Sequence, residues 1–168
     1  MKNKILWIVL VLVIANLSPV SAQQKLTTFI LIRHAEKVND GTKDPNLAEA
    51  GKKRAESLVS ILKNTPLQAI YSTSFIRSRD TVSPLAKAKS LSITEYEAFK
   101  PEEIEKILKD FEGGTILICG HSNNIPWIAN YLTGSEKFKN FDDNDYSNVL
   151  IITVAEKAKV TSVTWLNN

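Results

Sequence analysis

Thr28-Phe-Ile-Leu-Ile-Arg-His-Ala35 is the stretch that decides the fold of this chain. Its four consecutive apolar residues, Phe29 to Ile32, predict a strand buried on both faces of a parallel sheet. Ligands bind at the carboxyl ends of such strands in open α/β sheets. An arginine can hold two oxygens of a phosphate or carboxylate, and a neutral imidazole beside it can attack or move a proton. Arg33 and His34 are therefore predicted to face an anion site, although the pair alone also fits a hydrogen-bonded strand end.

A second histidine repeats this pattern. Thr115-Ile-Leu-Ile-Cys119 predicts another buried strand, which ends on Gly120-His121-Ser122. The chain has only two histidines, and both follow a buried apolar run. A core histidine normally lies within an element, so the repeated placement favours a shared site. Cys119 is predicted to be a small buried hydrophobe.

Helical and extended patterns alternate along the rest of the chain. They predict helices within 47–62, from about 75 to 87, within 101–111 and from about 123 to 133, and strands at 68–71, 91–94, 149–154 and 160–165. The hydroxyls of Ser72-Thr-Ser74 are expected to cap the second helix. The predicted class is α/β, a three-layer α/β/α sandwich with a mostly parallel central sheet and an antiparallel edge strand.

Residues 1–22 have the features of a secretory signal peptide. Lys2 and Lys4 precede an apolar run of 13 residues, Ile5 to Leu17, and Val20-Ser-Ala22 offers small residues for cleavage. The run is shorter than the ~20 residues of a membrane span. We expect a domain at 23–168 that is exported to the periplasm or secreted, without stable membrane insertion after cleavage. The alternative is an uncleaved N-terminal anchor.

Composition excludes several classes of partner and site. Without Lys2 and Lys4, the basic residues number 19 rather than 21, against 18 acidic ones. This near-neutral balance gives no electrostatic case for binding nucleic acid. A single cysteine excludes an intrachain disulfide, and no zinc-ligand spacing is present, so no metal or cofactor is expected. Asp142-Asp-Asn-Asp145 lacks the glycine and glutamate of a calcium loop. It is predicted to be a solvated acidic loop, with a position at the rim of the anion site as the alternative.

Arg77 is a further candidate for the anion site. It lies in the first turn of the helix that follows the strand ending at Tyr71, and helix N-termini attract phosphate. Arg33, Arg77, His34 and His121 would then converge on one anion. The guanidinium groups would orient it, and the imidazoles would provide a nucleophile and electrostatic support.

Four motifs together resemble the histidine phosphatase (phosphoglycerate mutase-like) superfamily, smaller branch. The family's Arg-His-Gly signature is Arg33-His-Ala35 here, and its Asp-x-x-Leu-Thr-x-x-Gly stretch is Asp44-Pro-Asn-Leu-Ala-Glu-Ala-Gly51. Its Ser-Ser-Pro-x-x-Arg-Ala-x-x-Thr segment is Ser72-Thr-Ser-Phe-Ile-Arg-Ser-Arg-Asp-Thr81, and its Gly-His motif is Gly120-His-Ser122. The motifs occur in the family's order. The resemblance implies a phosphoglycerate mutase-like fold.

The resemblance also implies roles for individual residues. His34 would be the nucleophile that becomes phosphorylated, inside a pocket formed by Arg33, Arg77 and His121. The expected substrate-binding residues are Arg33, Arg77, His121, Ser122 and Asn123.

The resemblance leaves two candidates for the proton donor. Glu97, which follows the third predicted strand, is the positional candidate, and Glu36 is the alternative. Either could instead be a solvated surface carboxylate. A donor at Glu97 is expected to be partly desolvated. The chain also departs from the family at Ala35, where glycine is usual, and at Asp40, where asparagine is usual.

The expected activity is that of an exported phosphomonoesterase of the histidine acid type, working through a phosphohistidine intermediate. Its substrate would be a small-molecule phosphomonoester, with a sugar phosphate or an envelope-glycan phosphate favoured by export. Two alternatives stay open, a protein phosphohistidine phosphatase and a phosphate-binding module without turnover. A monomer or a homodimer is expected. Specificity is expected to lie in the loops Val38–Pro45, Glu95–Lys100 and Ser135–Asp145.

Overall fold

A computed structural model describes residues 25–166 of the chain. Its strands are β1 Thr27–Arg33, β2 Ala69–Ser72, β3 Ile93–Glu95, β4 Thr115–Gly120, β5 Val149–Glu156 and β6 Lys159–Leu166. Its helices are α1 Glu49–Ile61, α2 Ile76–Lys89, α3 Pro101–Asp110 and α4 Asn124–Thr133. The predicted signal peptide, residues 1–22, lies outside the described residues, so that assignment stays a prediction. Within 25–166, no helix combines the length and hydropathy that a membrane span requires.

The six strands form one sheet in the order β3-β2-β4-β1-β5-β6. Strands β1 to β4 are mutually parallel, β5 runs antiparallel to β1, and β6 runs antiparallel to β5. β5 and β6 form a hairpin that therefore lies at one edge of the sheet, where an antiparallel strand was predicted. This arrangement confirms the expected α/β sandwich with a mostly parallel sheet.

The alternation of side chains along β1 produces the three layers. Phe29 and Leu31 pack in one apolar cluster with residues of α3 and α4. Ile30 and Ile32 point to the opposite face and pack with residues of α1 and α2. All four side chains are buried, which explains why the sequence shows a continuous apolar run instead of alternation. Cys119 is also fully buried, as predicted, and burial raises the pKa of its thiol.

The connections at β1 and β4 create the crevice that carries the site. The chain leaves β1 towards α1 on one face of the sheet and leaves β4 towards α4 on the other face. Because β1 and β4 are neighbours, their carboxyl ends form a topological switch point, where α/β sheets bind ligands. Arg33 pairs in register with Gly120, and the His34 N–H donates to the Gly120 carbonyl at 2.8 Å. The sheet therefore delivers His34 and His121 side by side.

The cap of α2 differs from the one predicted. The N-cap residue is Phe75, and no side chain of Ser72–Ser74 caps the helix, so that expectation is wrong. Instead, both carboxylate oxygens of Asp44 accept from the N–H of Ile76 at 3.1 Å. A carboxylate satisfies a free N–H and the positive end of the helix dipole at once. Asp44, which lies in the loop between β1 and α1, therefore caps α2.

Gly51 lets α1 contact the backbone just beyond the site. A Cβ built at this position would overlap the carbonyl oxygen of Glu36. That same oxygen accepts a hydrogen bond from the N–H of Ala48 at 2.9 Å. The glycine of the Asp44–Gly51 motif is thus required by the close approach of α1 to the segment after His34.

We expect Gly51→Ala to lower the free energy of unfolding by about 1–3 kcal/mol, the usual penalty of an overpacked contact. The added methyl group would push α1 away from the carbonyl of Glu36. Urea denaturation followed by circular dichroism measures the change. Ala50→Ser, at an exposed position of the same helix, is the matched control and should cost about 0.5 kcal/mol. Equal losses in both variants would show that the helix relaxes without penalty.

Candidate active site

Four of the residues predicted for the site meet at one cleft above the carboxyl ends of β1, β2 and β4. Arg33 and His34 are buried, and the side chain of Arg77 is 12% exposed. The rings of His34 and His121 lie edge to face, with centroids 5.2 Å apart. Arg77 Nη2 lies 3.4 Å from His121 Nδ1. The cleft has a volume of about 760 Å³ and is lined by all four side chains.

His34 is held in one tautomer. Its Nδ1 lies 2.8 Å from the carbonyl oxygen of Ala35, which can only accept, so Nδ1 carries the proton. Burial lowers the pKa of His34 to about 3, and the positive charges of Arg77 and Arg33 also lower it, against the Ala35 hydrogen bond. The ring is therefore neutral near pH 7, and Nε2 keeps its lone pair. That nitrogen is the candidate nucleophile.

His121 is also neutral, but both of its ring nitrogens have partners. Burial lowers its pKa to about 4, with further lowering by Arg77 and Arg33. Because a guanidinium can only donate, Nδ1 accepts from Arg77 Nη2. The proton of the neutral ring is then on Nε2, which donates to Thr73 Oγ1 at 3.1 Å. Thr73, which the sequence suggested only as a capping hydroxyl, thus fixes the orientation of His121.

Arg33 is positioned by the acidic loop. Its Nη1 donates to the carbonyl oxygens of Asp142 at 2.7 Å and Asp145 at 2.9 Å. Its guanidinium carbon lies 4.3 Å from the centre of the Tyr146 ring, close enough for a cation–π contact. The side chain of Asp142 is exposed, as expected of a solvated loop, but the backbone of the loop holds a site residue. Sequence reasoning missed Tyr146, for which no motif gave a signal.

Arg77 is positioned from two sides. Its Nη1 donates to Asp44 Oδ1 at 3.2 Å and to the Lys43 carbonyl at 3.4 Å. Its guanidinium carbon lies 4.4 Å from the centre of the Phe75 ring, and that ring meets His121 edge to face at 4.9 Å. Burial lowers the pKa of Arg77, against the attraction of Asp44, but a guanidinium remains protonated at any physiological pH. Asp44 thus both caps α2 and orients its arginine.

Thr81 ties the segment after the nucleophile to the helix that carries Arg77. Its buried hydroxyl accepts from the Ala35 N–H at 2.8 Å and donates to the Arg77 carbonyl at 2.7 Å. This bridge explains the threonine that ends the Ser72–Thr81 motif. It fixes the positions of His34 and Arg77 relative to each other.

Gly120 leaves room for a buried polar contact behind His121. A Cβ at Gly120 would overlap Asn124 Oδ1, which accepts from the His121 N–H at 2.6 Å. Asn124 is itself buried. The glycine of the Gly-His motif therefore allows Asn124 to fix the backbone of His121.

Ser122 and Asn123 line the same cleft, as expected for substrate-binding residues. Ser122 is half-buried, and its carbonyl accepts from the N–H of Phe141 at 2.9 Å. Asn123 is exposed at the start of α4 and makes no side-chain capping bond. Their contact with substrate stays a prediction.

The two candidate proton donors differ in position. The side chain of Glu97 lies at the rim of the cleft, 66% exposed, with Oε2 2.5 Å from Lys100 Nζ. Glu36 lines a neighbouring cleft of about 450 Å³ and pairs with Arg54 Nη2 at 2.7 Å. Hydrogen bonding from Arg54 lowers the pKa of Glu36. The partial desolvation expected of a donor at Glu97 is not found, so its role rests on the resemblance alone.

We expect Glu97→Gln to change kcat/KM by less than threefold on both an aryl and an alkyl phosphate, because the carboxylate is exposed and paired with Lys100. Rates on p-nitrophenyl phosphate and glycerol 3-phosphate measure this. Glu95→Gln, at the same cleft, is the matched control. A loss of about 10²-fold on the alkyl phosphate alone would establish Glu97 as the general acid.

The described residues give no metal site. Within residues 25–166, no three or more His, Cys, Asp and Glu side chains are grouped so that they could hold a metal ion. The expectation of a metal-independent site stays a prediction.

A family model and one curated relative each match part of the chain. Residues 29–100 match the histidine phosphatase superfamily (branch 1). Phosphoserine phosphatase 1 of Hydrogenobacter thermophilus (strain DSM 6534 / IAM 12695 / TK-6) is 36% identical over 74 residues, which cover 40% of this chain. The match covers 35% of that relative, so the chain spans about a third of its length.

Solved structures match over most of the described chain. The protein histidine phosphatase SixA, complexed with tungstate, superposes with a TM-score of 0.69 at 15% identity, covering 83% of this chain and 96% of that one. Phosphoglycerate mutase from Plasmodium falciparum gives a TM-score of 0.54 at 19% identity, covering 86% of this chain and 91% of that one. These likenesses establish the fold. The resemblance drawn from the motifs is therefore confirmed: residues 29–100 match the histidine phosphatase superfamily, branch 1, within a domain of phosphoglycerate mutase-like fold.

Proposed function

We propose that this protein is a phosphatase that hydrolyses phosphomonoesters through a phosphohistidine intermediate on His34. The observation that carries the proposal is the buried, neutral imidazole of His34 in a cleft with two guanidinium groups. The hydrogen bond from Nδ1 to the Ala35 carbonyl leaves the lone pair of Nε2 free to attack phosphorus. Phosphoryl transfer depends mostly on positioning and on charge stabilisation, which such a constellation provides.

The geometry supports a two-step reaction. Arg33 and Arg77 hold the phosphoryl oxygens, and His34 Nε2 attacks phosphorus while the ester oxygen departs with its electron pair. The Nδ1–H of His34 continues to donate to the Ala35 carbonyl oxygen, and this hydrogen bond stabilises the positive charge that the ring gains. Water then attacks phosphorus, the nitrogen–phosphorus bond breaks, and neutral His34 is restored. No step requires a metal ion, so we propose that the reaction is metal-independent.

The comparisons support phosphatase chemistry in general and leave the substrate open. The curated relative is a phosphoserine phosphatase, and the first structural neighbour is a protein histidine phosphatase. We propose a small-molecule phosphomonoester as the substrate and export of the protein to the periplasm or medium. Export rests on residues 1–22 of the sequence. If only the export of the protein is considered, a sugar phosphate or an envelope-glycan phosphate is the favoured substrate.

A protein phosphohistidine phosphatase is the second candidate function. No Asp or Glu among residues 25–166 is buried, so the site holds no buried carboxyl group to protonate a poor leaving group. Phosphohistidine needs less assistance of that kind than an alkyl ester does. Faster turnover of a phosphohistidine-containing protein than of small phosphomonoesters would favour this candidate.

Phosphate release from p-nitrophenyl phosphate in the presence of EDTA tests the proposal. We expect turnover, inhibition by tungstate, which the SixA structure contains, and an acid-labile, hydroxylamine-sensitive label on the protein. Binding of phosphate without any turnover would identify a binding module instead. Turnover that EDTA abolishes would contradict metal independence.

A further inference from the structure

We propose that the site is built for an aromatic leaving group, bound against Phe75 and Phe99, so that the substrate class is an aryl phosphomonoester. This inference rests on the proposed function and names the substrate class for the same site. Both phenyl rings line the cleft that contains His34, Arg33 and Arg77.

Phe75 borders the phosphoryl site directly. It is 38% exposed, although its ring contacts the Arg77 guanidinium at 4.4 Å and meets His121 edge to face, with ring centroids 4.9 Å apart. An apolar ring held open beside two polar side chains can receive a second ring in an offset or edge-to-face arrangement. The leaving group of a phosphomonoester held by Arg77 would lie within reach of this surface.

Phe99 is held open at the rim of the same cleft. Its φ is +62°, in the left-handed region that non-glycine residues rarely adopt, and such strain is typical of functional sites. Its ring meets Trp127 edge to face at 5.6 Å, and Trp127 stacks on Tyr131 at 5.5 Å with a 14° interplanar angle. The neighbouring rings therefore support Phe99, which remains 49% exposed. Two exposed rings in one polar cleft indicate a site that an aromatic ligand covers.

The exposed positions of the carboxylates favour a leaving group that needs no proton, such as an aryl oxide. Glu97 at the rim is paired with Lys100, and no Asp or Glu in 25–166 is buried. A leaving group must then depart largely without a proton, which an aryl oxide does more readily than an alkoxide. In the reaction, the His34 Nε2–phosphorus bond forms as the phosphorus–oxygen bond to the ring breaks. The aryl oxide later takes up the proton that the attacking water loses, so the steps balance.

A comparison of two labile substrates separates ring recognition from leaving-group ability. Acetyl phosphate and p-nitrophenyl phosphate both need little acid assistance, but only the second has a ring. We expect Phe99→Leu and Phe75→Leu to lower the ratio of their kcat/KM values, aryl over acetyl, by about five- to tenfold. The loss should appear chiefly in KM for the aryl substrate. Phe99→Tyr, which keeps the ring, should restore the ratio, and Val163→Ala, at an exposed site on β6, is the control.

Each outcome decides between this inference and the proposed function. An unchanged ratio in both leucine variants would overturn the inference while phosphatase activity stands. Faster wild-type turnover of glucose 6-phosphate than of p-nitrophenyl phosphate would also overturn it, in favour of a sugar. No turnover of any substrate by the wild-type protein would overturn the proposed function itself.

Discussion

Replacement of His34 by alanine is expected to reduce turnover by about 10³-fold or more, the scale on which loss of a nucleophile acts. His34 Nε2 carries a lone pair, because the hydrogen bond to the Ala35 carbonyl keeps the ring proton on Nδ1. We therefore expect no other atom of the pocket to replace Nε2 as the nucleophile. Phosphate release from p-nitrophenyl phosphate measures the rate. Brief exposure to a radiolabelled substrate should give an acid-labile, hydroxylamine-sensitive label in the wild type and none in the variant.

A folded control is needed because His34 is buried. His34→Asn keeps a polar side chain that can donate to the Ala35 carbonyl, and it should be inactive with wild-type circular dichroism. Wild-type activity in either variant, or a label that persists in them, would identify another residue as the nucleophile.

Arg77→Lys is expected to lower kcat by about 10²-fold or more, which is the effect of removing one preorganised charge donor. The planar guanidinium donates to Asp44 and to His121 Nδ1 and lies over the Phe75 ring at the same time. An ammonium group carries the same charge but cannot make these contacts in one geometry, and it holds phosphoryl oxygens from a single point. Steady-state kinetics on p-nitrophenyl phosphate measures the loss.

Arg79→Lys is the matched control for that substitution, because Arg79 is exposed on the same helix. We expect it to change kcat by less than twofold. A loss below threefold for Arg77→Lys would place Arg77 outside the phosphoryl pocket.

The position of both histidines could be predicted from the sequence because the signals are local. A four-residue apolar run fixes the burial of β1 on both faces, and the same pattern in β4 brings His121 to the same edge of the sheet as His34. Residue spacing alone predicted Arg77 at the start of α2. Parallel strands that end at one level leave little freedom for the side chains that follow them.

The groups that orient these side chains could not be predicted in the same way. Arg33 is held by two backbone carbonyls 109 and 112 residues away, and a carbonyl has no sequence signature. The cap of α2 comes from Asp44, 32 residues upstream of Ile76, whereas local hydroxyls gave the wrong candidate. The exposure of Glu97 depends on its pairing with Lys100 and on the path of a loop, neither of which periodicity describes.

Two uncharged imidazoles beside two guanidinium groups make the binding of an anion a proton-linked event. The positive charges of Arg77 and Arg33 help to keep the pKa of His121 at about 4, and a bound dianion would offset them. The pKa of His121 should therefore rise on binding, so that the complex takes up a proton and the affinity increases as the pH falls.

Calorimetric titration with sulfate, which stays a dianion between about pH 5 and pH 8, should show this trend, and His121→Gln should flatten it. A pH-independent affinity in the wild type would contradict it. Departure of the product anion is then coupled to loss of a proton, and the site empties more readily as the pH rises.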